Sequence, residues 1–120
     1  MKAVIVFACG LAAGCATAPA ADAVQAAACG LTVRFGSYAM GIDGGAAVAV
    51  ERLLRADRGV NSVERKPWGR EGEFDLCART RRVADARRLS TRIRGLLPAR
   101  PRGPITVTLA DGGSYSVPAN

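Results

Sequence analysis

The sequence predicts one small domain of mixed α/β class, and three observations support this prediction. Short segments in which apolar and polar residues alternate are typical of half-buried strands. Two longer segments carry apolar residues at helical spacing. The roughly ninety residues from Cys29 onward suffice for one hydrophobic core. We therefore expect the order strand, helix, strand, strand, helix, strand, followed by a hairpin.

The first three elements follow from local patterns. Residues 31–35 alternate apolar and polar side chains and predict a strand. Asp43 is well placed to accept backbone N–H bonds at the start of a helix over residues 46–58. Gly59 is expected to end that helix, and a second strand is predicted over residues 60–66.

A turn over residues 67–72 is expected to lead into a third strand over residues 73–79. Thr80 can cap a second helix, which Pro98 ends. The apolar stripe of this helix comprises Val83, Ala86, Leu89, Ile93 and Leu96 or Leu97.

The last strand is predicted over residues 105–109, and Asp-Gly-Gly at residues 111–113 predicts a hairpin that returns through residues 114–117. The whole order is that of a ferredoxin-like βαββαβ sandwich. In that fold two helices cover one face of an antiparallel sheet, and the other face stays open. The hairpin either extends the fourth strand or adds a short fifth one.

Three short segments resemble the first half of a heavy-metal-associated domain: residues 40–46, 49–54 and 59–64. The resemblance implies the same ferredoxin-like fold. In that family the loop carries Met-x-Cys-x-x-Cys, whereas Asp43 and Ala46 stand at the cysteine positions here. A carboxylate and a methyl group cannot replace two thiolates for copper(I) or zinc. We therefore expect no metal and no other cofactor.

At the N-terminus, Lys2 precedes an uncharged apolar run that stops at small residues just before Cys15. This arrangement resembles a bacterial lipoprotein signal peptide, which implies a signal peptide over residues 1–14 and an acylated Cys15. The apolar run over residues 3–13 is far shorter than the ~20 residues of a membrane span. The alternative is an ordinary secretory signal cut after residues 18–20, which leaves a soluble exported protein.

Residues 15–28 are predicted to hold the lipid-attachment cysteine and an alanine-rich tether, because the segment has no periodic large apolar residues. Residues 29–120 form the predicted folded domain. Ala16, rather than aspartate, follows the cysteine. By resemblance to Gram-negative lipoprotein sorting, this implies the periplasmic side of the outer membrane if the source is Gram-negative.

Cys29 and Cys77 remain as a pair, for which a disulfide is the default in an oxidising compartment. In the predicted topology the start of strand one lies near the end of strand three, which brings the two cysteines together. Side-chain alternation opposes a bridge between them. Cys29 is expected on the same face of the sheet as core-facing Leu31, whereas Cys77 is expected on the face opposite to Leu76. A bridge therefore requires Cys29 to lie outside the ladder, or a bulge; the alternative is two free thiols.

Catalytic signals are weak, and we predict a non-enzymatic protein with no catalytic residues. The chain has no histidine, which removes the commonest general base. Glu71, Glu73 and Asp75 could hold calcium or act as an acid/base pair, but Arg70 and Arg79 flank them. An exposed strand face of mixed charge is the favoured interpretation, and a carboxylate-based hydrolase is a remote alternative.

Positive charge is the strongest remaining feature, with 17 basic against 10 acidic side chains and a net charge of +7. Nine arginines lie within residues 79–102, against only Asp85. The predicted anionic-partner face comprises Arg81, Arg88, Arg92, Arg100 and Arg102. Its ligand would be an anionic lipid headgroup, an envelope polysaccharide or an acidic protein. The alternative is that the arginine excess reflects the codon usage of a GC-rich genome. Nucleic acid is not expected as a partner, because the protein is predicted to be exported.

Trp68 is the only tryptophan and lies in the predicted turn beside cations. It either contacts a partner or folds over the open sheet face to shield it. Together these features predict a non-enzymatic envelope lipoprotein that acts as a basic binding or structural module. The alternative function is a degenerate metal-carrier-like domain without metal.

Overall fold

The computed structural model describes residues 29–119, which form a mixed α+β domain with two helices and a five-stranded antiparallel sheet. Its elements are β1 (Leu31–Phe35), α1 (Gly44–Ala56), β2 (Val60–Pro67), β3 (Phe74–Thr80), α2 (Val83–Leu96), β4 (Ile105–Leu109) and β5 (Ser114–Val117). The predicted α/β class is confirmed. The predicted signal peptide, the lipid site Cys15 and the tether lie outside the described residues.

The sheet has the strand order β2-β3-β1-β4-β5, and every neighbouring pair is antiparallel. The hairpin after β4 therefore adds a short fifth strand. Leu31 at the start of β1 lies opposite Ala78 of β3 and Leu109 of β4. The start of β1 and the ends of β3 and β4 thus meet at one end of the sheet.

One hydrophobic core joins both helices to alternate residues of the strands. Its largest fully buried side chains are Phe35, Leu31, Leu54, Leu76, Leu89, Ile93, Ile105, Val33, Val50 and Val107. Each such side chain contributes about 1.5–3 kcal/mol through removal from water. The intervening strand residues, such as Arg34 and Thr108, point to the opposite, polar face of the sheet.

Asp43 caps α1 as the sequence predicts, because its Oδ1 accepts a 3.0 Å hydrogen bond from the backbone N–H of Ala46. Its other carboxylate oxygen accepts a 3.0 Å bond from the backbone N–H of Arg102. These donors, Arg102 first, hold the pKa of Asp43 below its usual value. The helix ends at Ala56, before the predicted Arg58, and Asp57 is its C-cap residue.

Two predictions about the second helix, the cap at Thr80 and the burial of Val83, are wrong, and of the two alternatives for its last apolar residue the structure selects Leu97. Thr80 does not cap α2, because it remains in β3 opposite Val60, and the N-cap residue is Arg82. Val83 is exposed because it is the first residue of α2 and lies before the part of the apolar stripe that packs against the core. At the other end Leu96 is also exposed, whereas Leu97 packs against the core. The middle of the predicted stripe, residues 86–93, is confirmed as buried at Ala86, Leu89 and Ile93.

Candidate functional site

The end of the sheet at which the described chain begins will be called the entry end. It comprises Cys29, Gly30 and residues 57–59, 80–82 and 109–111. Backbone hydrogen bonds hold these segments together. Gly30 accepts from the N–H of Ala110 at 3.1 Å, and Gly59 accepts from the N–H of Arg81 at 2.9 Å. The C-terminus of α1 and the N-terminus of α2 therefore lie beside the start of β1.

The entry end also holds the cysteine pair. The sulfur atoms of Cys29 and Cys77 lie within bonding distance, and their Cα atoms are 5.3 Å apart. Cys29 precedes β1 and lies outside the regular ladder, which is one of the two arrangements that side-chain alternation leaves open for a bridge. Cys77 lies opposite Thr32 and points away from the core side of the sheet. Both cysteines are buried.

Two neighbouring clefts at this end are lined by arginines. The arginine cluster, as we define it, comprises Arg58, Arg81, Arg82, Arg87 and Arg88. The wider cleft lies between the end of α1 and the start of α2, and Asp57 and Asp85 also line it. The narrower cleft lies between α2 and the end of β4. Arg81 and Arg82 belong to both clefts and so form the centre of the cluster.

Two buried aspartates organise part of this cluster. Arg88 donates two hydrogen bonds of 2.8 Å to Asp57 and one of 3.3 Å to Asp85. Arg82 donates to Asp85 at 3.2 Å, and Arg92 lies 3.6 Å from Asp57. The side chains of both aspartates are only 7% exposed. Arg88 and Arg92 thus have structural partners within the domain.

These contacts shift the titration of the acids. Hydrogen bonds from Arg88 outweigh desolvation and lower the pKa of Asp57 to about 2. The pKa of Asp85 is also lowered, first by its hydrogen bond from Arg82. Both carboxylates therefore remain charged at neutral pH, and their partners are held in fixed positions.

Two other members of the cluster face solvent without an acidic partner. Among residues 29–119, the side chains of Arg58 and Arg81 make no ion pair and no hydrogen bond. The side chain of Arg82 is 78% exposed although it contacts Asp85. Because the side chains of Asp57 and Asp85 are buried, the wider cleft presents mainly guanidinium groups. Guanidinium forks match the geometry of phosphate and carboxylate oxygens.

The structure does not gather the five predicted arginines into one surface. Arg81 and Arg88 line the wider cleft, and Arg92 lies further along α2 near Asp57. Arg100 and Arg102 lie beyond the other end of α2, in the loop before β4. Arg81 precedes α2 and Arg100 follows it, so the 14 residues of the helix place about 20 Å between these two, with Arg88 and Arg92 along its length.

Sequence reasoning missed Arg58, Arg82 and Arg87 as part of this site. Arg58 is the last residue of the first predicted helix, and only the meeting of α1 with α2 brings it beside Arg81. Arg82 follows Arg81 directly in the chain, so the basic pair was a usable local signal.

The opposite end of the sheet will be called the far end; it comprises the loops over residues 36–43, 68–73 and 97–104. Trp68 donates from its indole N–H to Asp75 at 2.9 Å. Arg34 lies 5.1 Å from the indole centroid and makes two bonds of 3.0 Å to the same carboxylate. Trp68 therefore lies against the polar sheet face, although 51% of the residue remains exposed. Tyr38 and Met40 are exposed in a neighbouring loop.

The three carboxylates that the sequence places close together, Glu71, Glu73 and Asp75, each accept hydrogen bonds from different donors. Asp75 is held by Arg34 and Trp68, Glu73 accepts the backbone N–H of Glu71 at 2.7 Å, and Glu71 accepts from the hydroxyl of Ser37. Within residues 29–119, no three side chains of the His, Cys, Asp or Glu type are grouped so that they could hold a metal ion.

Comparisons with known proteins give no match among protein-family models, curated proteins or solved structures. The function must therefore be argued from the site. Neither helix in the described part of the chain has the length and apolar character that a membrane span requires.

Proposed function

We propose that this protein is a non-enzymatic basic binding module of the bacterial cell envelope, held at a membrane by a lipid on Cys15. In a Gram-negative source its place would be the periplasmic side of the outer membrane. The observation that carries the proposal is the arginine cluster, in which exposed guanidinium groups surround two buried aspartates. Its ligand is an anionic component that presents phosphate or carboxylate groups.

The charge balance of the domain supports binding to an anion. Residues 29–119 contain sixteen basic and nine acidic side chains. Asp57 and Asp85, two of the nine acids, are buried under arginines and add little to the exposed surface. The resulting field attracts anionic partners and weakens as salt is added.

We also propose that the domain is a ferredoxin-like sandwich with both helices on one face of the sheet. The position of β3 between β1 and β2 supports this topology, as does the position of β1 beside β4. The shared core of the two helices supports their placement on one face. This fold by itself implies no activity, so the binding proposal depends on the arginine cluster.

The intact mass of the native protein, purified from its own membranes, tests the anchor. A chain that starts at Cys15 and carries a diacyl or triacyl mass would support it. A bare chain that starts near residue 21 would overturn it.

Salt elution from phosphocellulose tests the binding surface. The variant R58E/R81E changes two unpaired arginines of the cluster. The variant R70E/R100E makes the same change in net charge at the far end and serves as the matched control. We expect R58E/R81E to elute at clearly lower salt than the control. Equal elution of the two variants would show that net charge alone, rather than the cluster, determines binding.

A further inference from the structure

The chain enters the described domain at the same end as the arginine cluster. Residues 16–28 join it at Cys29, and the backbone of Gly30 is hydrogen-bonded to the end of β4. If Cys15 carries a lipid, thirteen residues separate the anchored residue from Cys29. A flexible chain of that length spans about 20 Å, and a fully extended one at most about 45 Å. The entry end is therefore within reach of the lipid headgroups.

The two ends of the sheet differ in the charge that they present. At the entry end Asp57 and Asp85 are buried, and Asp111, which lies 3.3 Å from Arg87, is the exposed acid among arginines that outnumber it. At the far end the arginines are accompanied by Glu71, Glu73 and Asp75. A bilayer that contains anionic lipids attracts basic side chains close to its surface, by about fivefold in affinity for each residue. Charge complementarity therefore favours the entry end.

We propose that the arginine cluster docks on the phosphate groups of anionic lipid headgroups, so that the domain lies against its membrane with the entry end down. This inference rests on the proposed function, because it takes Cys15 as the anchor. Arg58, Arg81 and Arg82 supply guanidinium groups to headgroup phosphates. The far end, with Trp68, then faces away from the bilayer.

Arginine modification by phenylglyoxal tests this orientation. The full chain, processed by its own cells, is reconstituted in phosphatidylcholine vesicles with and without phosphatidylglycerol. Mass spectrometry then gives the modification rate at each arginine. We expect phosphatidylglycerol to slow modification of Arg58 and Arg81 several-fold, with no change at Arg70 and Arg100. Added salt should remove this protection, because headgroup binding is electrostatic.

Protection of Arg70 and Arg100 instead, or equal modification at both ends, would overturn the proposal. The absence of any effect of phosphatidylglycerol would also overturn it. The remaining candidate ligands of the cluster would then be a polysaccharide or an acidic protein. The sole tryptophan gives an independent readout of orientation. Brominated phosphatidylglycerol should leave the fluorescence of Trp68 unchanged, and strong quenching would contradict docking by the entry end.

The anchor and the docking surface can fail separately. An acyl mass without protection of the cluster would retain the lipoprotein and reject the docking. If the mass shows no acyl chain, the anchor fails, and co-sedimentation of the same chain with phosphatidylglycerol vesicles then measures docking alone. In that assay R58E/R81E should bind roughly tenfold or more weakly than the matched control R70E/R100E. Equal binding of the two variants would reject the cluster as a lipid-binding surface.

Discussion

Arg88 of α2 donates two hydrogen bonds of 2.8 Å to Asp57, the C-cap residue of α1, and so links the two helices at the entry end. The same guanidinium reaches Asp85 at 3.3 Å, and the backbone N–H of Gly59 donates to Asp57 at 2.8 Å. The pair of Asp57 and Arg88 therefore holds the end of α1, the start of β2 and the first turns of α2 in a fixed arrangement.

Loss of Arg88 should destabilise the domain. In the variant R88M, Asp57 stays buried and loses its two strongest donors, although Arg92 remains 3.6 Å away. We expect the free energy of unfolding, measured in urea on the full chain, to fall by about 1–3 kcal/mol. The control R87M breaks an exposed pair with Asp111 and should cost less than about 0.5 kcal/mol. Equal losses in both variants would contradict a special role for Arg88.

Stability should also fall in acid because of Asp57. Its pKa lies at about 2 in the folded chain, below the ordinary value of 3.8. The stabilisation is therefore complete above pH 4 and is lost as the pH falls from about 4 to about 2. After allowance for solvent screening at the half-exposed Arg88, we expect a loss of about 1 kcal/mol from this residue. Urea unfolding should show a shallower acid decline in D57N, and an unchanged decline would contradict the assignment.

Gly59 should tolerate no side chain. A Cβ at this position would lie 2.7 Å from the Cγ of Asp85 and 3.0 Å from a guanidinium nitrogen of Arg88. We expect G59A to lower the free energy of unfolding by about 1–3 kcal/mol, because it must displace the ion pair or the backbone. The control G95A adds its methyl to open space near the end of α2 and should stabilise by up to about 1 kcal/mol. Thermal unfolding compares the two, and a neutral G59A would contradict the crowding.

A bridge between Cys29 and Cys77 should contribute strongly to stability, because it closes a loop with a sequence separation of 48. The chain-entropy relation gives about 4 kcal/mol for such a loop. We expect the intact mass to increase by two hydrogens on reduction, with a lower free energy of unfolding. The double variant C29A/C77A should not respond to reductant. If the intact mass is the same before and after treatment with reductant, the two cysteines are free thiols.

Local patterns predicted most of the elements, because side-chain periodicity depends on residues that are adjacent in the chain. In β1 the alternate residues are buried as predicted. In α2 the helical spacing of Leu89 and Ile93 predicts one buried face, and both residues are buried. The helix starts were less predictable. Thr80 has the chemistry of a cap, but its pairing with Val60 keeps it in the sheet. That pairing joins residues twenty positions apart, which no local pattern reveals.

By itself the sequence determined the α/β class, the cap at Asp43 and the large excess of arginine. Only the tertiary structure decided which arginines face solvent without an acidic partner. Arg81 and Arg88 look equivalent in the sequence, yet Arg88 is held by Asp57 from 31 residues away and Arg81 has no such partner. The physical reason is that ion pairing requires proximity within about 4 Å, and the packing of α1 against α2 provides it.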